Sequence, residues 1–140
     1  MFNFNGRCCR SSQEGVNDIR EGILDIREGL GDIREGRNDI LRGNVREGMR
    51  DINEGICDIQ EGLRDIIEGL NDIRFALSRE RIRIIQEGIR DIREGIRDIC
   101  EGLRDIRRGN LNEGIIDINE GILDIEEGLN DIIMGLWGIL

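Results

Sequence analysis

Apolar residues return along this chain at alternating spacings of three and four, most plainly in NDIREGILDIREGLGDIREGRNDI at residues 17–40. That stretch repeats Asp-Ile-x-Glu-Gly-Leu/Ile-x every seven residues. We write the heptad with position a after the glycine. Position d is then isoleucine in all sixteen slots, from Ile19, Ile26 and Ile33 through to Ile125, Ile132 and Ile139. Position a is mostly Ile or Leu, as at Ile23, Leu30, Ile56, Leu63, Ile89, Leu103, Ile122 and Leu129. Asp fills c, Glu mostly fills f and Gly fills g. A strand is excluded because an odd period changes face at every repeat, whereas the three–four alternation marks one stripe of a helix.

The stripe loses phase three times, between Asn44 and Met49, Leu77 and Ile82, and Asn110 and Ile115. A step of five rotates the stripe by about 140° from its place on a continuous helix, so each slip predicts a turn. The slips recur every 33 residues and divide the chain into four units starting at Glu14, Glu47, Glu80 and Glu113. Ser11, Asn44 and Asn110 each stand three residues before a unit's first Glu, the spacing of a capping box. Arg-Gly-Asn at 42–44 and 108–110 supplies a glycine to end the preceding helix. Phe75–Arg81 has only Ser78 as a cap and no glycine, which makes it the junction most open to a continuous helix.

The expected fold is therefore all-α: an antiparallel up-down-up-down four-helix bundle of Gly-containing heptads. Its helices cover about 12–43, 45–77, 79–109 and 111–140 of a single domain at 14–140, with a mobile tail at 1–13. Long hairpins that complete their core by dimerising are the second architecture, and a stack of repeats the third.

Seventeen of the twenty glycines occupy g, although glycine inside a helix costs about 1 kcal/mol relative to alanine. A turn centred between residues 45 and 46 would set Gly15, Gly22, Gly29, Gly36 and Gly43 level with Ala76, Gly69, Gly62, Gly55 and Gly48. Glycine against glycine lets two backbones approach and exchange Cα–H to carbonyl contacts. In packing, the pattern resembles antiparallel coiled coils of the Alacoil kind, which use small residues at the seam.

Composition removes several functions. The chain has no His, Lys or Tyr, and twenty Arg stand against thirty Asp and Glu for a net charge of −10. Enzymes draw general acids and bases from the missing types, and the c and f carboxylates are expected to face water with nothing to raise their pKa. The Glu-x-x-His motif of di-iron bundles is absent, so no catalytic residue, metal or cofactor is expected. Nucleic acid is disfavoured by the negative charge. The start, MFNFNGRCCRSS, lacks the apolar stretch of a signal peptide, which suggests cytoplasmic synthesis.

What remains is association. Arg83, Arg90, Arg97 and Arg104 at b, with Arg93 and Arg107 at e, each have Glu or Asp three or four residues away, as in Glu87–Arg90 and Glu94–Arg97. The ordinary outcome is a salt-bridged solvent face. The sharper one is an arginine stripe that docks on the acidic face of another copy. Helix 4 carries extra apolar residues, of which Ile116 and Ile133 would meet Leu41 and Leu24. Ile133, Met134, Trp137 and Leu140 form a candidate assembly patch. Cys8, Cys9, Cys57 and Cys100 fit no metal spacing and are candidate crosslinking residues; Cys57 and Cys100 stand level on helices 2 and 3, as do Arg64 and Arg93. The expected role is a structural, self-assembling protein whose partner is itself, forming a layer, filament or shell. The alternative is an amphipathic-helix coat on lipid or polymer surfaces. A regulatory partner-binding bundle ranks third.

Overall fold

A computed structural model describes the backbone of residues 2–140 and the side chains of residues 12–140. The side chains of Cys8, Cys9 and Ser11 therefore lie outside the described residues, while the backbone of 2–13, expected as a tail, runs as the first turns of α1. The chain is all-α, an antiparallel four-helix bundle of α1 (Phe2–Leu41), α2 (Val45–Ile73), α3 (Arg79–Arg107) and α4 (Leu111–Gly135). It is built from two hairpins. α1 packs closely on α2 and α3 on α4, while α1 with α4 and α2 with α3 touch more sparingly.

The turns follow from local chemistry. Gly43 and Gly109 take φ of +99° and +92°, a left-handed conformation that costs glycine little. After them, the Asn44 and Asn110 N–H groups donate to the Asp39 and Asp105 carbonyls, and the Gly43 and Gly109 N–H groups to those of Ile40 and Ile106. This double bond set is the Schellman ending. The expected capping boxes do not form there: Asn44 and Asn110 precede their helices without a side-chain cap bond, and the backbone N–H groups that the box's Glu would take are already given to the Schellman closure.

The glycine-free junction is a turn, not a continuous helix. α2 tightens into a 3₁₀ turn at Arg74–Ala76, Leu77 is extended, and the Ser78 hydroxyl accepts from the Arg81 N–H at 3.2 Å. Extended Leu77 resets the direction that a left-handed glycine resets elsewhere. α2 and α4 therefore end before 77 and 140, and α4 closes with a turn at Gly138, φ +86°.

The d isoleucines form the core, fifteen of the sixteen buried. Each buried one rests a γ-carbon on the space over a g glycine of its hairpin partner, Cγ1 in every case but Ile73, as Ile59 does over Gly29 and Ile125 over Gly95. The glycines meet in pairs: Gly15–Gly69, Gly22–Gly62, Gly29–Gly55 and Gly36–Gly48 in the first hairpin; Gly88–Gly128, Gly95–Gly121 and Gly102–Gly114 in the second. Glycine does face glycine, but one heptad away from the expected register. The chain reverses at residues 42–44, short of 45–46, and the seven-residue glycine spacing moves the match to the next rung. Ile139 is the exception; by the repeat it lies opposite Arg81, where no glycine opens a hole, and it is only half-buried.

Candidate assembly surfaces

Heptad geometry gives the bundle four long faces. The g and c positions flank the tight seams, whereas b and e flank the open contacts between hairpins. Residue types sort accordingly.

Close approach at the seams crowds the c carboxylates. Gly55 opposite Gly29 leaves the Asp58 Cβ 3.3 Å from where a Cβ on Gly29 would lie. Asp32 consequently meets Asp58, Asp25 meets Asp65, and in the second hairpin Asp105 meets Asp117, Asp98 meets Asp124 and Asp91 meets Asp131. The same register sets Asp18 beside Asp72 and Asp39 beside Asp51. Partial burial at the seam, then a hydrogen bond and charge repulsion from Asp105, push the Asp117 carboxyl up to about 6. Asp124 rises to about 6 by partial burial and then Asp98. Asp32, Asp65 and Asp131 rise for the same reasons. The expectation that nothing raises these carboxylates is corrected: distance along one helix suggested isolation, but the glycine seam brings the neighbouring helix's aspartate into contact. The pairs remain pairs; among the described residues no three His, Cys, Asp or Glu side chains converge as a metal site would require.

The face over α2 and α3 is basic. Eleven of the twenty arginines, and no carboxylate, occupy b and e between residues 46 and 107. The expected salt bridges largely fail. Arg83 reaches Glu80 at 3.6 Å, but Arg90, Arg93, Arg97, Arg104 and Arg107 make no hydrogen bond or ion pair among the described residues. Arg64 and Arg93 do stand across from each other, lining a groove of about 400 Å³ with Gln60, Leu63, Ile67, Ile96 and Arg97. Cys57 is exposed and Cys100 half-buried against the core, both as free thiols.

The face over α1 and α4 is mixed. Arg34 pairs with Glu126, and Arg37 donates to the Asn119 side-chain oxygen at 3.0 Å. Leu24, Leu41, Ile116 and Leu123 remain exposed, so the anticipated burial of Leu24 on Ile133 and Leu41 on Ile116 is corrected. The polar Arg34 and Arg37 contacts occupy the seam and leave these side chains outside it. The candidate patch divides: Met134 and Trp137 are 65% and 76% exposed, whereas Ile133 and Leu140 are half-buried on the core. Sequence reasoning missed Arg81. It occupies a g position where its siblings are glycine, and its guanidinium donates to the Gly135 and Trp137 carbonyls at 3.0 and 2.9 Å. Those carbonyls are orphans of the α4 terminus. The signal was present as the one arginine in a column of glycines.

Fold and surface together define a glycine-seamed bundle with acidic seams, a basic α2–α3 face and a mixed α1–α4 face. No family model, curated protein or solved structure matches the chain.

Proposed function

We propose that this is a structural, non-enzymatic protein that assembles with copies of itself into a layer, filament or shell. The observation that carries this reading is the arginine face over α2 and α3, where Arg90, Arg93, Arg97, Arg104 and Arg107 make no hydrogen bond or ion pair among the described residues while acidic seams lie on the neighbouring faces. Charge complementarity between unlike faces favours association and fixes its orientation. Such a contact is heterologous, and repeating it generates rings or open filaments. The paired carboxylates lie along the outer edges of seams closed by buried glycines, an arrangement suited to contact and not to enclosing a substrate. Analytical ultracentrifugation and electron microscopy at low and about 1 M salt test the reading. Large species that dissociate as salt rises are expected; a monomer at every salt and protein concentration would overturn it.

The second reading, a coat on lipid, draws on exposed Leu24, Ile116, Leu123 and Trp137 along α1 and α4. Among the described residues no helix is long and apolar enough to cross a membrane, so binding would be to the surface. Flotation with vesicles distinguishes the two: lipid-bound protein without self-assembly favours the coat.

A further inference from the structure

We propose that the arginine row of α3, Arg83, Arg90, Arg97 and Arg104, docks on the paired-aspartate seam of α1 and α2 in a second copy. The inference rests on the self-assembly reading and names the two surfaces that meet. Three observations on different parts of the molecule support this match.

The first is unmet chemistry on both sides. Arg90, Arg97 and Arg104 have no hydrogen bond or ion pair among the described residues, and all four side chains of the row are exposed. On the seam, Asp32 lies against Asp58 and Asp65 against Asp25, each pair held close by glycine and each acid opposed by its like. A guanidinium set on a carboxylate pair relieves that repulsion and gains bidentate hydrogen bonds, which a lysine would supply less well.

The second is spacing. The arginines recur every seven residues, about 10.5 Å along the helix, and so do the aspartate pairs. The third is extent. The row holds four arginines over three heptads, and the first hairpin's register gives four rungs over three heptads: Asp18–Asp72, Asp25–Asp65, Asp32–Asp58 and Asp39–Asp51. The second hairpin stops at three, because Ile84 and Gly138 occupy the next c positions. The α1–α2 seam is therefore the better counterpart. Glu21, Glu28, Glu54 and Glu61 flank it at f and extend the acidic field. With the row and the seam on adjacent faces of one bundle, docking uses one of each per copy and leaves the others free for the next.

That polarity permits a terminating test. One variant carries Arg90→Glu and Arg97→Glu; the other carries Asp25→Asn, Asp32→Asn, Asp58→Asn and Asp65→Asn. Circular dichroism first establishes that both retain helix, which exposed arginines and the removal of like-charge pairs should leave intact. Each variant alone is expected to sediment as a monomer. Mixed, they should form a 1:1 dimer that grows no further, because one supplies the intact seam and the other the intact row. If both variants assemble as the unaltered chain does, the docking is overturned while self-assembly stands. If the arginine variant is monomeric but the aspartate variant still assembles, the partner surface is wrong. An unaltered chain that stays monomeric throughout sinks the underlying reading as well.

Discussion

At the scale of single residues, the bundle is organised by one repeated contact: a β-branched side chain lying in the space a missing Cβ leaves. A Cβ on Gly29 would lie 2.6 Å from the Gly55 carbonyl oxygen and 2.7 Å from the Ile59 Cγ1. The first of these atoms is backbone and has nowhere to go without parting the helices. Replacement by alanine at Gly29 thus sets a propensity gain of about 1 kcal/mol against overpacking of about 1–3 kcal/mol. Gly29→Ala should lower the melting temperature. Gly31 is the internal control, exposed at b with nothing within 4 Å of its absent Cβ. Gly31→Ala should stabilise by up to about 1 kcal/mol. Thermal denaturation of the two variants side by side separates packing from propensity; a rise for both would show that the seam does not need its glycines. The role of glycine was readable from the heptad alone. The invariance of isoleucine at d was readable only as apolarity, because its cause lies on another helix.

At the scale of elements, sequence fixes where helices stop more securely than how they meet. The phase slips located all three reversals, and Gly43 and Gly109 signalled two of the endings through the conformation only glycine adopts readily. Extended Leu77 carries no comparable signature, which is why the Ser78 junction, though expected to turn, was the one most open to a continuous helix. Register was hardest: a shift of one heptad preserves every glycine pair but one end, so only the position of the turn decides it. Arg81, at a g position mostly taken by glycine elsewhere, holds α4 carbonyls that no further turn of helix satisfies. A charge-assisted hydrogen bond to an exposed end, aided by the helix dipole, is worth roughly 1 kcal/mol. Arg81→Ala should therefore cost about that much and, more specifically, release the last turn. Hydrogen exchange at 134–140 should accelerate while the α1–α2 seam is unchanged. Uniform acceleration across both hairpins would instead make Arg81 a general packing residue.

At the scale of the whole molecule, the four faces turn pH into a lever with two opposite effects. The faces themselves were partly legible, since b, c and e composition can be counted along the chain. The aspartate pairing was not, because it needs the seam distance. In the folded chain Asp117 faces Asp105, Glu101 and Glu120, and Asp124 faces Asp98, Glu94 and Asp91. Both carboxyls sit near 6 against an ordinary value of 3.8. A folded-state pKa above the unfolded one means the fold binds more protons in that window. This stabilisation is complete below about 4 and lost as pH rises through about 6, so melting temperature should increase on going from pH 7 to 5. The monomeric Arg90→Glu, Arg97→Glu variant allows that measurement without assembly, and adding Asp117→Asn and Asp124→Asn should flatten the profile and raise stability at pH 7. Assembly should respond the other way. Asp32 and Asp65 on the docking seam also bind protons more readily than free aspartate, and protonation removes the charge the arginine row recognises. Sedimentation of the unaltered chain as pH falls from 7 toward the ordinary aspartate value of 3.8 should therefore show assemblies shrinking as the single bundle becomes harder to melt. Assemblies that grow in acid would mean association proceeds through the exposed apolar side chains of the α1–α4 face and not through charge.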